Sequence, residues 1–197
     1  MAEARDSDEL TWFDPVWRGI LPLDRFHLPR RLLRTVLSGT FSVTTDQDFP
    51  GVIAACAEPR PDAPDTWINP RIQALYTALH RQGFARSVEC WRDGTLVGGL
   101  YGVAIGAAFF GESMFSRATD ASKVALAHLV ARLRIGRWHL LDTQFITTHL
   151  AQFGAIEIPR ARYKRLLAEA IARQADWPAT QDPDRLRAEF RAMAASA

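Results

Sequence analysis

Two short segments of this 197-residue chain combine residue types that can do chemistry. Phe109-Phe110-Gly111-Glu112-Ser113-Met114-Phe115-Ser116-Arg117 sets aromatic rings and a methionine around one carboxylate. Glu112 there either caps or pairs with an arginine inside a core strand, or it serves a substrate. Leu141-Asp142-Thr143-Gln144 lies at the end of a predicted strand, where short polar side chains point into a crevice. Other patterns fail. Gly98, Gly99, Gly102 and Gly106 fall between or within antiparallel strands, whereas a dinucleotide loop needs strand, glycines and helix in that order. In a sheet such glycines let backbones approach closely or form bulges. Gly111-Glu112-Ser113 starts like a nucleophile elbow, but Phe115 occupies the position of the second glycine, so Ser113 is read as structural. His27, His80, His128, His139 and His149 show no ligand spacing with one another or with a cysteine, and no metal centre is expected. His128 reads as a packed or surface histidine.

The elements that must carry these segments follow from spacing. Residues 1–10 read as a frayed tail, and the aromatic, proline-punctuated residues 11–29 as irregular segments. Pro29–Leu37 has the pattern of a short helix with a proline start, Phe41–Thr45 alternates like a strand, and Asp46 is placed to cap a helix running to Ala57. Residues 58–66 form a loop. Asn69-Pro70 opens a helix with Ile72, Leu75, Tyr76 and Leu79 on one face. Arg86–Trp91, Leu96–Val103 and Ala107–Phe115 form a three-stranded meander, its first turn marked by Asp93-Gly94. Asp120 or Ser122 caps a helix that ends at Gly136; His139–Asp142 is a short strand, and Thr147–Phe153 a helical turn. Pro159–Arg173 is a basic amphipathic helix, and Asp184–Ala194 a further helix. The fold class is α+β.

Composition narrows the function. With 48% hydrophobic and 23% charged residues the chain is of the ordinary globular kind. It is long enough to bury about 70% of its unfolded surface without disulfides or metals. A formal charge of +2 means that a nucleic-acid role must rest on where the arginines lie. Cys56 and Cys90 form no CxxC pair, the N-terminus is polar and acidic, and no apolar run approaches the ~20 residues of a membrane span. A soluble cytoplasmic protein is expected.

A larger pattern joins these pieces. Trp67-Ile68-Asn69, Tyr76 to His80, Ser87 to Trp91, Leu96–Val103, Phe109–Arg117, Ala121-Ser122-Lys123, Asp142-Thr143-Gln144, Phe153-Gly154-Ala155 and Glu157–Arg160 occur in one order. Together they closely resemble the bacterial leucyl/phenylalanyl-tRNA–protein transferases over roughly residues 11–173. The resemblance implies a domain similar to acyl-CoA N-acyltransferases (GNAT-like) over residues 61–175. It also implies an N-terminal portion, residues 1–60, reduced relative to the family. Residues 176–197 form a helical tail with no assigned role.

The resemblance further implies transfer of Leu or Phe, less well Met, from aminoacyl-tRNA to the N-terminal Arg or Lys of acceptor proteins, marking them for N-degron proteolysis. By position, Trp67 matches the tryptophan at the terminal adenosine; Leu100, Phe109, Met114 and Leu129 match the side-chain pocket, with Tyr76 also at the substrate. Asp142 and Gln144 match the proposed catalytic pair, and Glu112 a carboxylate facing the aminoacyl group. Asp142 is expected to accept a hydrogen bond from the incoming amine, with Gln144 holding that geometry. Candidate tRNA phosphate contacts are Arg30, Arg31 and Arg34 on one helix and Arg160, Arg162, Lys164 and Arg165 on another. No cofactor and no metal are called for, and a monomer is expected. Two rival readings are a tRNA-binding module without catalysis and an acyl-CoA-dependent N-acetyltransferase. The second needs a glycine-containing pyrophosphate loop, and no glycine lies between Gly111 and Gly136.

Overall fold

The computed structural model describes residues 13–59, 66–177 and 182–195. The N-terminal tail and most of the loop at 58–66 lie outside the described residues.

One seven-stranded sheet organises the chain, in the order β2-β3-β4-β5-β6-β1-β7. The strands are β1 (Trp17–Ile20), β2 (Ser42–Thr45), β3 (Ala85–Arg92), β4 (Thr95–Ile105), β5 (Ala108–Ser116), β6 (Leu140–Gln144) and β7 (Ile156–Pro159). The helices are α1 (Arg30–Leu37), α2 (Phe49–Cys56), α3 (Pro70–Arg81), α4 (Ala121–Ile135), α5 (Thr148–Ala151), α6 (Arg160–Ile171) and α7 (Pro183–Ala195). The α+β reading and the central meander hold. Asp93 and Gly94 both have positive φ, 51° and 73°, as the tight turn between β3 and β4 requires.

Four expectations are corrected. The stretch read as irregular contains β1, which lies between β6 and β7 and pairs antiparallel with both. β7 is a second four-residue strand that spacing did not reveal. Asp48, not Asp46, caps α2, accepting from Gly51 N; Asp46 instead accepts from Ser87 N and Arg86. Leu75 is 47% exposed, so the buried face of α3 turns on Ile72 with Tyr76 and Leu79 at its margin.

Packing forms layers. α4 covers one face of β3–β5 and is itself covered by α1 and α7, so it is apolar nearly all round. Its first residue comes so close to β4 that a Cβ on Gly98 would lie 2.5 Å from the Ala121 Cβ. α2 and α3 cover the opposite face, and α6 covers the β6-β1-β7 end. Adjacent Leu140 and Leu141 therefore belong to different cores, as strand alternation demands.

The sheet's single parallel pairing, β5 with β6, sets up the site. It runs only from Ala108↔Leu140 to Phe110↔Asp142. Beyond that point β5 continues to Ser116 paired with β4 alone, while β6 runs on with β1. The two strands part, and the gap between them faces α4 and α5.

Candidate active site

Asp142 sits where β5 and β6 separate, with no exposed surface. A carboxylate in such a place is stable only with partners. Arg18 of β1 donates Nε to Oδ1 at 3.0 Å and Nη2 to Oδ2 at 2.8 Å. The Tyr163 hydroxyl, from α6, donates to Oδ2 at 2.5 Å, and the backbone N–H of Gln144 donates to Oδ1 at 2.8 Å. The Arg18 guanidinium also lies 5.2 Å from the centre of the Tyr163 ring. Burial, reinforced by the Asp142 charge, pushes the Tyr163 phenol well above its ordinary range, so it stays a donor. Asp142 was expected to receive an incoming amine; its oxygens are instead taken up by the protein.

Gln144 ends β6 in a left-handed conformation, φ 65°, at a cost of about 1–2 kcal/mol for a residue with a Cβ. The bond from its N–H to Asp142 closes an Asx turn that holds it there. Gly19 permits the neighbouring register, since a Cβ on it would meet the Phe145 carbonyl carbon at 2.8 Å. The Gln144 amide then reaches across the gap, donating to Gly111 O at 3.1 Å and to Glu112 Oε2 at 3.2 Å.

Glu112, half-buried on the parted segment of β5, also accepts from the Tyr76 hydroxyl. Burial raises its carboxyl above the usual range; the Tyr76 and Gln144 hydrogen bonds work against that rise, and the Asp142 charge adds to it. Tyr76 rests edge-on against Tyr101 at 5.3 Å. The line Tyr76–Glu112–Gln144–Asp142 thus spans the sheet from α3 to β6.

Beside this line lies a cavity of about 170 Å³. Leu100, Met114, Leu126, Leu129, Leu141 and Leu150 make its apolar wall, and Glu112, Thr143 and His149 contribute polar groups. A cavity near 150 Å³ accepts a benzene ring, so a phenyl or isobutyl group fits here. A larger depression of about 430 Å³, lined by Leu21, Trp138, Ile156, Arg162 and Leu166 among others, does not include Glu112. The chemistry favours the smaller one.

The sequence profile described as leucyl/phenylalanyl-tRNA protein transferase matches residues 20–168. The chain belongs to the leucyl/phenylalanyl-tRNA protein transferase family. It is 58% identical over 172 residues to the leucyl/phenylalanyl-tRNA–protein transferase of Zymomonas mobilis, covering 87% of this chain and 64% of that protein. It is 59% identical over 171 residues to that of Rhodopseudomonas palustris, covering 87% of this chain and 76% of the other. The chain thus spans less than two thirds of the Zymomonas relative's length. Among solved structures it is similar to a ribosomal-protein-alanine N-acetyltransferase of Brucella melitensis, at 14% identity and a TM-score of 0.39, over 57% of this chain and 86% of that one.

In this leucyl/phenylalanyl-tRNA protein transferase family member, Glu112, Gln144, Asp142 and Tyr76 come together as one network, with Leu100, Met114 and Leu129 on the adjoining wall. Phe109 does not join them. It lies opposite Leu141 in the paired part of β5, before the strands part, and is fully buried, stacked on Trp177 with ring centres 5.8 Å apart. Trp67 is half-buried against the α2–α3 core and does not line the cavity.

The two basic helices differ. Arg30, Arg31 and Arg34 project from α1, exposed, and make no ion pair among the described residues. On α6, Arg160 and Lys164 pair with Asp14 at 3.5 and 3.0 Å, whereas Arg162 and Arg165 are exposed without such a partner among the described residues. Arg18 and Tyr163 were missed. The one signal for Tyr163 is an aromatic among charged neighbours on the side of α6 that must face the sheet.

Proposed function

We propose that this chain transfers Leu or Phe, and less readily Met, from aminoacyl-tRNA to the N-terminal Arg or Lys of acceptor proteins in the cytoplasm, giving a product read as an N-degron. The observation that carries this reading is the 170 Å³ apolar cavity lined by Glu112, whose carboxylate accepts from the Gln144 amide. The names of the family and of its relatives support it. No described helix is long and apolar enough to cross a membrane.

The donor side chain enters the leucine and methionine wall, which leaves its α-amino group and ester carbonyl at the polar edge. Unbranched and γ-branched side chains suit a pocket walled by leucines and a methionine. Each methylene discriminates by about 1–3 kcal/mol, so methionine is a tolerated third donor. The acceptor α-amine attacks the ester carbonyl carbon; the new C–N amide bond forms as the C–O bond to the terminal ribose breaks. The amine proton leaves with the ribose hydroxyl. An α-amine has a pKa near 7.7–8.0, so about a tenth or more is already neutral at cytoplasmic pH. Orientation is the larger contribution, up to about 7–11 kcal/mol. Glu112 offers its carboxylate to the donor's α-ammonium, and Gln144 fixes the aminoacyl group against the attacking amine. Asp142 works from behind them. Arg30, Arg31 and Arg34 hold tRNA phosphates, joined by Arg162 and Arg165, with Arg160 and Lys164 partly neutralised by Asp14; Trp67 is the residue for the terminal adenine.

The test is transfer of labelled leucine or phenylalanine from charged tRNA to a model protein that begins with Arg, beside a copy that begins with Met. Label on the Arg substrate alone is expected. Salt-sensitive tRNA binding without any transfer would sink the catalytic reading and leave a binding module.

A further inference from the structure

We infer that Arg18 and Tyr163 are positioning residues for aminoacyl transfer, which act on Gln144 through Asp142; the inference rests on the functional reading above.

Asp142 accepts from both nitrogens of Arg18, from Tyr163 and from the Gln144 N–H. A carboxylate has about four lone-pair directions, and these bonds use them. With no exposed surface it offers a substrate nothing directly. What it does offer is the bond to the Gln144 N–H, which keeps Gln144 in its left-handed turn. That turn aims the amide at Gly111 O and Glu112 across the gap between β5 and β6.

Arg18 and Tyr163 come from β1 and α6, and neither lines the cavity. Their common partner is Asp142, and each fixes a different feature of it. The two-nitrogen grip of Arg18 sets the plane of the carboxylate, and the Tyr163 hydroxyl sets the rotation of Oδ2. Buried ion pairs commonly tolerate replacement by apolar side chains without loss of stability, so a fold that merely needed β1, β6 and α6 joined could dispense with this one. The arrangement makes sense as a mount for Gln144. Loss of the mount leaves the cavity wall and the exposed arginines of α1 in place, so the defect should appear in kcat and not in KM.

The experiment is a kinetic cycle with Tyr163→Phe and Gln144→Ala, singly and together, in the full chain with charged tRNA and an Arg-initiated acceptor. Tyr163→Phe should lower kcat about tenfold with KM for aminoacyl-tRNA changed less than twofold, and should have almost no further effect in the Gln144→Ala background. A crystal structure of Tyr163→Phe should show Gln144 out of the left-handed region and its amide away from Glu112, a readout that needs no activity. Arg18→Met should repeat the kinetic pattern; if it fails to fold, Tyr163→Phe, which removes one oxygen, still decides. Equal factors in both backgrounds, an effect confined to KM, or an unmoved Gln144 overturns the inference. A parent chain that transfers nothing overturns the functional reading itself, whereas an active parent with additive variants overturns only the role of these two residues.

Discussion

Glu112 holds a carboxyl group in surroundings that disfavour its charge, and this has a stability consequence opposite in sign to its proposed role. Its folded pKa lies above the unfolded value, chiefly through burial. Such a group supports the fold fully below its unfolded pKa, about 4.3, and that support is lost as pH rises through the folded pKa. Glu112→Gln should therefore raise the thermal midpoint near pH 7.5, by about 2–4 °C for each kcal/mol of charge burial removed, and the gain should vanish toward pH 4. The same variant should lose at least tenfold in transfer. Thermal scans across pH and a transfer assay check both; equal midpoints at pH 7.5 would refute the burial argument. At the cavity wall, Leu129→Phe should reduce transfer of phenylalanine more than of leucine, by about tenfold, in a competition between the two charged tRNAs. Glu112, Asp142 and Gln144 were legible because each lies in a distinctive local string. Arg18 was not, because its partner is 124 residues away and its own neighbours are aromatics and prolines that carry no period.

At the scale of elements, what could be read was what has length. α4, with fifteen residues, and the β3–β5 meander have enough positions for a period to emerge. β1 and β7 have four residues each without the alternation that marked the equally short β2, and they exist because β1 pairs with both β6 and β7. The parting of β5 from β6, which makes the cavity, is a tertiary property with no local trace. Two predictions belong here. Gly19→Ala should destabilise the fold by about 1–3 kcal/mol and impair transfer, because the added methyl meets the Phe145 backbone beside Gln144; chemical denaturation measures the first. For the basic helices, Arg30→Ala with Arg34→Ala should flatten the dependence of log K for tRNA on log salt by about 0.7–0.9 for each phosphate no longer neutralised. Arg160→Ala should do less, since Asp14, shared with Lys164, already neutralises part of that charge. An unchanged slope in the α1 variant would remove that helix from the tRNA surface.

Across the whole molecule, the C-terminal helix is tied to the core in a way that composition did not suggest. Phe190 of α7 packs on His128 of α4 with ring centres 4.7 Å apart, and His128 Nδ1 is buried without a hydrogen-bond partner among the described residues. Burial, helped by the Arg132 charge, lowers the imidazole to about 3. A histidine depressed in this way gives stability that is present above its unfolded pKa, about 6.5, and is lost as pH falls from there toward the folded value. Unfolding free energy should therefore decline by the uptake of one proton between about pH 6 and pH 4, and His128→Leu should remove that slope. Matching slopes in parent and variant would show that α7 does not shield this ring.

The place of β1 in the sheet reaches back to the ribosome. Arg18 is made before either of its partners, its carboxylate partner 124 residues downstream and Tyr163 a further 21 beyond it. At a synthesis rate of about 5–20 residues per second, the first strand waits roughly 6–25 s before it has anywhere to insert. The meander and α4 can collapse in that interval, but the gap between β5 and β6 can acquire no working geometry. A nascent chain stalled before β6 would display an open sheet edge and an unanswered arginine, and by the mechanism proposed above would transfer nothing however much of its core had formed.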